Sequence, residues 1–361
     1  MPARAVRPHA AEPVIGAYVF PHGQLDAAHI DAQHLTRIYY SFALIKDGTL
    51  VPTTPADLDN LSLLTALRGK NPKLQVLISV GGWMGGAGFS DAALTAESRT
   101  HFAQSAAAFV EKYNLDGLDV DWEYPGQAGA GNVFRPEDKQ DFTLFLDELR
   151  HQFDAAGHRM HRHLLLTIAA GGAQDFLVHT EMDKVSRIVD QVNLMTYDFC
   201  EPDPSGTPTC HHTALFTDPA DPNHDSVDAS VRDMISAGVP AEKIVIGAAF
   251  YGHAWTSVSP QNHGLYQPGK PAKDFRGAYD NIRTLVDNRG YTRYWDAAAQ
   301  APWLYSETES TFISYDDPQS IGAKCAYVRK QQLGGIMFWS YFDDSTGELL
   351  GTINHALNAA R

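Results

Sequence analysis

Eight short runs of mostly apolar residues recur along the chain, and several of them are separated by segments with helical spacing. Most runs are nearly continuous in apolar residues, which is typical of strands buried on both faces of a parallel sheet. The predicted strands are Val14–Phe20, Arg37–Ala43, Leu74–Ser79, Leu115–Trp122, Leu164–Ala169, Val189–Met195, Ile244–Ala249 and Gly335–Trp339. The predicted helices include Arg99–Tyr113, Glu137–Ala155, Ser226–Ala237 and Pro318–Gln331. Eight strands that alternate with helices predict an α/β fold, the (β/α)8 TIM barrel.

The interval between the last two predicted strands is too long for a simple connection. Residues 253–314 contain Gly, Pro and many aromatic residues. Because a structureless loop of this length is uncommon in a compact domain, we interpret it as a small inserted α+β lobe. The predicted division is therefore a flexible N-terminal arm at 1–13, a TIM barrel at 14–252 and 315–361, and the lobe at 253–314.

The charge and hydropathy of the chain exclude several classes of partner. The formal net charge of −15 argues against a nucleic-acid-binding protein and against binding to anionic membranes. No apolar run reaches the ~18 residues that a membrane-spanning helix needs. Residues 1–13 contain no hydrophobic segment of the kind found in signal peptides. We therefore expect no nucleic-acid or membrane partner, and we expect a monomer.

The three cysteines form no CxxC pair, which argues against a structural zinc site. Cys200 and Cys210 flank a loop rich in Pro, Ser and Thr, and the sequence leaves open whether they form a disulfide. Cys325 lies in an apolar helical pattern, which predicts a buried thiol. His211 and His212 have acidic neighbours, but two adjacent histidines are poor chelators, so we expect no metal site.

The fourth predicted strand carries three carboxylates on one face. Asp119, Asp121 and Glu123 are spaced two residues apart, whereas Val120 and Trp122 point the other way, toward the helices. Like charges at this spacing raise each other's pKa, so at least one carboxyl should hold a proton near neutral pH. Glu123 lies at the carboxyl end of its strand, where barrel enzymes place catalytic groups. A Glu with a raised pKa at this position is suited to act as a general acid.

This strand and four further motifs resemble glycoside hydrolase family 18, the chitinases, in the subgroup with an α+β insertion. The run from Asp116 to Glu123 matches the DxxDxDxE signature of that family. The matching motifs cover nearly the whole chain and follow the family's order. They are Ser79-Val80-Gly81-Gly82-Trp83, Met195-Thr196-Tyr197-Asp198, Phe250-Tyr251-Gly252 and Gly334-Gly335-Ile336-Met337-Phe338-Trp339.

The resemblance implies a retaining, substrate-assisted hydrolysis of β-1,4 linkages in chitin or chito-oligosaccharides, without a metal or organic cofactor. Glu123 would protonate the glycosidic oxygen while the substrate's own 2-acetamido oxygen attacks the anomeric carbon and forms an oxazolinium ion. Asp121 would bind the acetamido N–H, and Asp119 would share a proton with Asp121. Tyr197 would donate a hydrogen bond to the acetamido group, and Asp198 would contact the sugar. Asp116 is off the parity of the other acids, and we expect it to support the strand.

The resemblance also implies that aromatic side chains line the sugar-binding cleft and that the lobe walls it. Trp339 would form the hydrophobic floor under the sugar at the cleavage point. The substrate-binding residues implied in this way are Tyr18, Phe42, Trp83, Tyr124, Met195, Tyr251 and Trp339. Aromatic residues of the lobe either contact sugar or pack the lobe itself; they include Trp255, Tyr266, Trp295 and Trp303.

One residue departs from the family pattern. Members with the insertion usually read Tyr-Gly-Arg after the seventh strand, whereas this chain has His253 in place of the Arg. The substitution removes a fixed cation and a forked donor, so contacts near this position should differ. We expect a structural His here.

Two alternatives stay open beside an active chitinase. One is an endo-β-N-acetylglucosaminidase that cuts N-glycans, although such relatives usually lack the lobe. The other is a chitin-binding lectin, although such relatives typically lose the acid that Glu123 supplies here. Because an insoluble polymer cannot enter cells, the resemblance implies a secreted protein.

Overall fold

Eight parallel strands close into a barrel in the order in which they occur along the chain. The structure is a computed structural model that describes residues 12–221 and 224–358. Strands β1, β2, β4–β8 and β14 form the barrel, and β1 pairs with both β14 and β2 to close it. The strands are β1 (Val14–Val19), β2 (Arg37–Lys46), β3 (Thr49–Pro52), β4 (Gln75–Gly81), β5 (Gly117–Asp121), β6 (Leu165–Gly171), β7 (Gln191–Met195), β8 (Ile244–Ala249), β9 (Gly252–Thr256), β10 (Lys270–Pro271), β11 (Tyr291–Asp296), β12 (Ala301–Ser306), β13 (Thr311–Tyr315) and β14 (Gly335–Trp339). The predicted TIM barrel is confirmed.

Helices follow most of the barrel strands and cover the outside of the barrel. Apolar side chains between the helices and the strands form the main hydrophobic core. The α-helices are α1 (Ala56–Ala66), α2 (Phe89–Ala93), α3 (Ala96–Lys112), α4 (Asp138–Met160), α5 (Gln174–Val178), α6 (Met182–Ile188), α7 (Val227–Ser236), α8 (Tyr279–Ile282), α9 (Pro318–Gln331) and α10 (Glu348–Asn358).

Two helices extend beyond their predicted ends for local reasons. Helix α3 begins three residues before the predicted Arg99 because Thr95 and Ser98 form a capping box at its start. Helix α4 continues five residues past the predicted Ala155. Gly157 allows this, because the carbonyl oxygen of Arg162 lies where a side chain would meet it, 2.6 Å from an ideal Cβ.

Strand β2 runs past the predicted Ala43 because it turns back into β3 as a hairpin. Asp47 and Gly48 form the turn with positive φ angles of 51° and 71°. An Asp-Gly pair favours the two-residue turns in which both residues adopt left-handed conformations. The sequence therefore contained a signal for this hairpin.

A second sheet occupies the interval between the last two barrel strands. It is antiparallel and has the order β10-β9-β13-β12-β11, with the short helix α8 beside it in sequence. This agrees with the predicted α+β insertion. The exact division of the chain at 14–252, 253–314 and 315–361 stays a prediction, and most of the predicted arm at 1–13 lies outside the described residues.

The lobe sheet packs its aromatic side chains around a disulfide. Cys200 and Cys210 are bonded, with their Cα atoms 6.0 Å apart. Trp255 and Trp303 are buried against this bridge in one cluster. The predicted buried thiol of Cys325 is confirmed. Within the part of the chain that the structure describes, no helix combines the length and the apolar character needed to cross a bilayer.

Candidate active site

Strand β5 directs Asp119 into the barrel interior, where four donors surround its carboxylate. Oδ2 accepts hydrogen bonds from the Tyr18 hydroxyl at 2.9 Å and from Ser79 Oγ at 2.8 Å. Oδ1 accepts from Thr167 Oγ1 at 2.6 Å and from Asn193 Nδ2 at 3.0 Å. Burial raises the pKa of Asp119, and the four hydrogen bonds oppose that shift. Four barrel strands therefore fix this carboxylate in one position.

Asp121 lies one step further along the same face and is much less well satisfied. Its Oδ1 is buried without a hydrogen-bond partner among the described residues. Burial, followed by the charges of Glu123 and Asp119, raises the pKa of Asp121 well above its usual range. This shift favours the protonated form of Asp121, in the direction that the spacing of the three acids predicts.

Glu123 follows the carboxyl end of β5, and its side chain is partly exposed in the barrel mouth. Burial raises its pKa to about 7. A hydrogen bond with Tyr124 opposes the shift, and the negative charges of Asp198 and Glu201 add to it. A carboxyl group with a pKa near 7 is suited to donate and then to accept a proton.

The other residues of the strand follow the predicted parity. Trp122 stacks on Phe89 on the helix side of the barrel, with ring centroids 5.2 Å apart. Asp116 lies at the opposite end of β5, where its Oδ2 accepts from Val76 N at 2.7 Å and from Arg68 at 2.5 Å. Asp116 is therefore a strand-supporting residue, as its parity indicates.

Tyr197 follows strand β7 and points its ring across the barrel mouth. An ideal Cβ on Gly247 would lie 2.6 Å from its ring, so the ring occupies space that only a glycine on β8 leaves free. Its hydroxyl lies 3.9 Å from Met337 Sδ, a weak acceptor. Burial, with Asp121, Asp198 and Glu123 next to it, raises the pKa of Tyr197 well above its usual range. The phenol therefore stays protonated and can donate to a ligand.

Asp198 is held beside Tyr197 by groups from two other segments. Its Oδ1 accepts from the Tyr251 hydroxyl at 2.6 Å and contacts His253 Nε2 at 2.7 Å. Nδ1 of His212 lies 3.6 Å from the same oxygen. Burial would raise the pKa of Asp198, but the imidazoles of His212 and His253 outweigh it and hold the pKa below its usual range. The surroundings therefore favour the ionised form of Asp198, whereas they favour the protonated forms of Glu123 and Asp121.

These groups meet at a cavity of about 540 Å³ in the carboxyl-terminal mouth of the barrel. Barrel enzymes bind their substrates at this end. The sequence-predicted residues that line the cavity are Tyr18, Phe42, Trp83, Asp121, Glu123, Met195, Tyr197, Asp198, Tyr251 and Trp339. Asp119 lies beneath it. Tyr124 is not among the lining residues, and its ring meets Phe176 edge to face, so its contact with sugar stays a prediction.

Aromatic rings form the floor and one edge of the cavity. Trp339 stacks on Phe42 with centroids 5.6 Å apart and lies 5.7 Å from Phe20. Trp83 is 52% exposed and the neighbouring Met84 is 80% exposed. Exposed aromatic and apolar surface of this kind marks a binding site, and it suits the apolar faces of pyranose rings.

The lobe does not wall this cavity, contrary to what the resemblance implies. Among the described residues, none from 253–314 lines it. Trp255 and Trp303 instead pack against the disulfide, and Trp255 Nε1 donates to Thr207 O at 3.1 Å. The lobe covers the 199–216 loop and brings His253 to Asp198.

The sequence of this whole region also matches the sequence model of a known protein family. The model for glycosyl hydrolases family 18 matches residues 14–344, which include every barrel strand and every group in the cavity. This chain belongs to glycosyl hydrolases family 18. The resemblance to this family that the five motifs indicate is thereby confirmed.

Proteins that are similar in sequence to this chain include named chitinases. Chitinase A1 of Niallia circulans is 42% identical over 303 residues, covering 79% of this chain and 43% of that protein. Chitinase B of Serratia marcescens is 32% identical, covering 91% of this chain and 77% of that protein. A solved family 18 N-acetylglucosaminidase from Paenibacillus barengoltzii superimposes with a TM-score of 0.87 at 42% identity, covering 96% of this chain and all of that one. The chain thus spans less than half of Chitinase A1.

Sequence reasoning missed several residues of the site. Phe20, at the end of the predicted first strand, and Met84, next to Trp83, line the cavity but were not predicted to do so. Asn193 was detectable, because it lies two residues before Met195 and shares its inward parity on β7. His212 and Glu201 were noticed only as parts of an unusual loop, and their position next to Glu123 and Asp198 depends on tertiary packing.

Proposed function

We propose that this chain hydrolyses β-1,4 linkages between N-acetylglucosamine units of chitin or chito-oligosaccharides, with retention of configuration and with the substrate's acetamido group as nucleophile. The observation that carries the proposal is Glu123, a partly exposed carboxyl with a pKa of about 7 on the cavity. Neither of the other two acids on this face is suited to act as a nucleophile, because the raised pKa of Asp121 disfavours its ionised form and Asp119 is buried. The names of the chitinase relatives support the substrate class.

In the first step Glu123 donates its proton to the glycosidic oxygen. The bond between that oxygen and the anomeric carbon breaks, and the acetamido carbonyl oxygen forms a bond to the same carbon. The resulting oxazolinium ion carries the positive charge, and the leaving sugar keeps the proton. In the second step the Glu123 carboxylate takes a proton from water, and the oxygen of that water forms a bond to the anomeric carbon. The bond between the anomeric carbon and the acetamido oxygen breaks, which opens the oxazolinium ring and restores the acetamido group.

The neighbouring groups hold the acetamido group for attack. Tyr197 donates its hydroxyl to the acetamido oxygen, which suits a phenol that stays protonated and whose hydroxyl, within the described part of the chain, contacts the weak acceptor Met337 Sδ. Asp121 faces the acetamido N–H, and its proton can pass toward Asp119 as positive charge develops. Asp198 is ionised and contacts the sugar at the cleavage point. Trp339 forms the apolar floor.

A second candidate is the removal of single N-acetylglucosamine units from chain ends. The N-acetylglucosaminidase from Paenibacillus barengoltzii favours it, because this chain covers that whole structure at 42% identity. Both candidates use the same acid and the same acetamido group. They differ in the length of the product, which the next experiment measures.

The experiment compares an N-acetylglucosamine hexamer with a glucose hexamer of the same linkage. We expect the first to be shortened and the second to stay intact, since only the first carries the internal nucleophile. Dimers and trimers as first products support chitinase action, and monomers support the second candidate. Equal cleavage of both hexamers would contradict the substrate-assisted mechanism. Binding of the first hexamer without cleavage would indicate a carbohydrate-binding protein.

We also propose that the chain acts outside the cytoplasm. The bonded pair Cys200–Cys210 supports this, because disulfides persist in oxidising compartments. The insoluble nature of chitin points the same way. The monomeric state stays a prediction.

A further inference from the structure

Two histidines and a carboxylate meet at the edge of the cavity, where Asp198 lines it. Asp198 Oδ1 lies 2.7 Å from His253 Nε2 and 3.6 Å from His212 Nδ1. Possible ligand atoms of the three side chains all lie within 4.8 Å of one another. Glu201 Oε1 is 3.6 Å from His253 Nε2 and offers a fourth ligand atom.

His212 has the properties of a ligand rather than of a packed core residue. Its side chain is completely buried, and neither ring nitrogen has a hydrogen-bond partner among the described residues. Buried polar atoms are nearly always paired, so this ring is an exception that calls for a partner. Burial lowers the pKa of His212 to about 4, so the ring is neutral and keeps a lone pair at physiological pH.

We propose that Asp198, His212 and His253, with Glu201 as a fourth ligand, bind one divalent transition cation of the Zn²⁺ or Cu²⁺ type. Two imidazoles and two carboxylates suit these borderline cations, whereas Mg²⁺ and Ca²⁺ prefer all-oxygen sites. His211 takes no part, because its Nε2 contacts Asp296 at 3.2 Å. The adjacent residues His211 and His212 therefore do not bind one cation together, and the second imidazole is that of His253 on β9.

The spacing of the Asp198, His212 and His253 ligand atoms fits such an ion with small adjustments, whereas Glu201 lies outside this cluster and its exposed side chain must turn toward the ion. Atoms bound to a tetrahedral Zn²⁺ at about 2.0–2.1 Å lie about 3.3 Å from one another. The observed separations of 2.7, 3.6 and 3.6 Å lie on both sides of that value. The contact between His253 Nε2 and Asp198 Oδ1 opens by about 0.6 Å, and the proton that bridges them is released to solvent. Tyr251 can keep its hydrogen bond to Asp198.

The bound cation would inhibit hydrolysis, and this second statement rests on the proposed function. Asp198 lines the cavity, and the proposed mechanism uses its free carboxylate to contact the sugar. A cation on that carboxylate withdraws it from the sugar. A chelator should then restore the lost activity, so the site would make the enzyme respond to the local concentration of these metals.

Calorimetry with ZnCl₂ on the tag-free full chain tests binding without any substrate. We expect one saturable equivalent for the wild type and no comparable binding of MgCl₂. His253→Gln removes one ligand and should weaken Zn²⁺ binding at least about 100-fold, since even the loss of residues that only orient a ligand costs 10–100-fold. Glu201→Gln changes an exposed side chain and should weaken it about tenfold or more.

His163→Gln is the matched control. His163 Nε2 also lies 2.7 Å from a carboxylate oxygen, that of Asp190, but no cluster of three metal-ligating side chains is found around it in the described ranges. The His163→Gln variant should bind Zn²⁺ as tightly as the wild type does. Absence of saturable Zn²⁺ binding, or equal binding by the wild type, His253→Gln and Glu201→Gln, would overturn the site. One-equivalent binding with unchanged hydrolysis would overturn the inhibitory role alone, and an inactive wild type that binds Zn²⁺ would count against the proposed function but not against the site.

Discussion

At the residue scale, the site separates four carboxyl groups by environment rather than by residue type. Asp119 has four hydrogen-bond donors, Asp121 has an unpartnered buried oxygen, and Asp198 has two imidazoles. Glu123 is left with a pKa of about 7. When the surroundings of two acids push their pKa values apart, one acid can donate a proton while the other stays ionised.

The pKa of Glu123 predicts the alkaline limb of the pH profile. A general acid must be protonated in the resting enzyme, and Glu123 loses its proton as the pH rises through about 7. The value of kcat/KM should therefore fall above pH 7, approaching tenfold per pH unit. Circular dichroism over the same range controls for unfolding. A profile that stays flat to pH 9 in folded protein would contradict the role of Glu123.

At the element scale, helix α9 holds together the segments that flank the site. Lys324 on α9 is fully buried, and its Nζ lies 2.5 Å from Asp316 Oδ2 and 2.6 Å from Thr213 Oγ1. The same Asp316 oxygen accepts from Ala249 N, at the end of β8, at 3.1 Å. One buried ion pair therefore links α9, β8 and the loop that carries His212.

Lys324→Met should strongly destabilise the fold. It leaves the carboxylate of Asp316 buried without its cation, and breaking one side of a buried pair costs about 3–5 kcal/mol. Urea unfolding measures the loss. Lys330→Met, on the same helix but exposed, is the control and should change the free energy of unfolding by less than about 0.5 kcal/mol. Equal effects of the two substitutions would show that the buried pair does not stabilise this junction.

Most elements were predictable because periodicity reports burial directly. Apolar runs identified all eight barrel strands, and Pro318 together with helical spacing gave α9 both of its ends. The first residues of α3 and the last residues of α4 were not predicted. The first depends on a side-chain cap and the second on the approach of Arg162 to Gly157, and apolar spacing carries neither signal.

At the scale of the whole molecule, the barrel supplies the proposed catalytic groups, and the lobe supplies His253, which contacts one of them, Asp198. The parity of β5 predicted which acids face the interior. It could not predict the donors around Asp119, which come from four different strands. The resemblance implies that the lobe walls the cleft, whereas Trp255 and Trp303 of the lobe are buried in its own core against the disulfide. The meeting of His253 with Asp198 and His212 likewise appears only in three dimensions.

The most direct test of the account is the turnover of an N-acetylglucosamine hexamer by Glu123→Gln beside the wild type. Mass spectrometry follows the products, and calorimetry follows binding. We expect turnover to fall about 10²–10⁴-fold, because the amide cannot donate the proton, while the dissociation constant changes less than about threefold. Glu307→Gln, on the exposed edge of the lobe, should retain full activity. A folded Glu123→Gln variant that keeps more than about a tenth of wild-type turnover would contradict the claim that Glu123 is the acid.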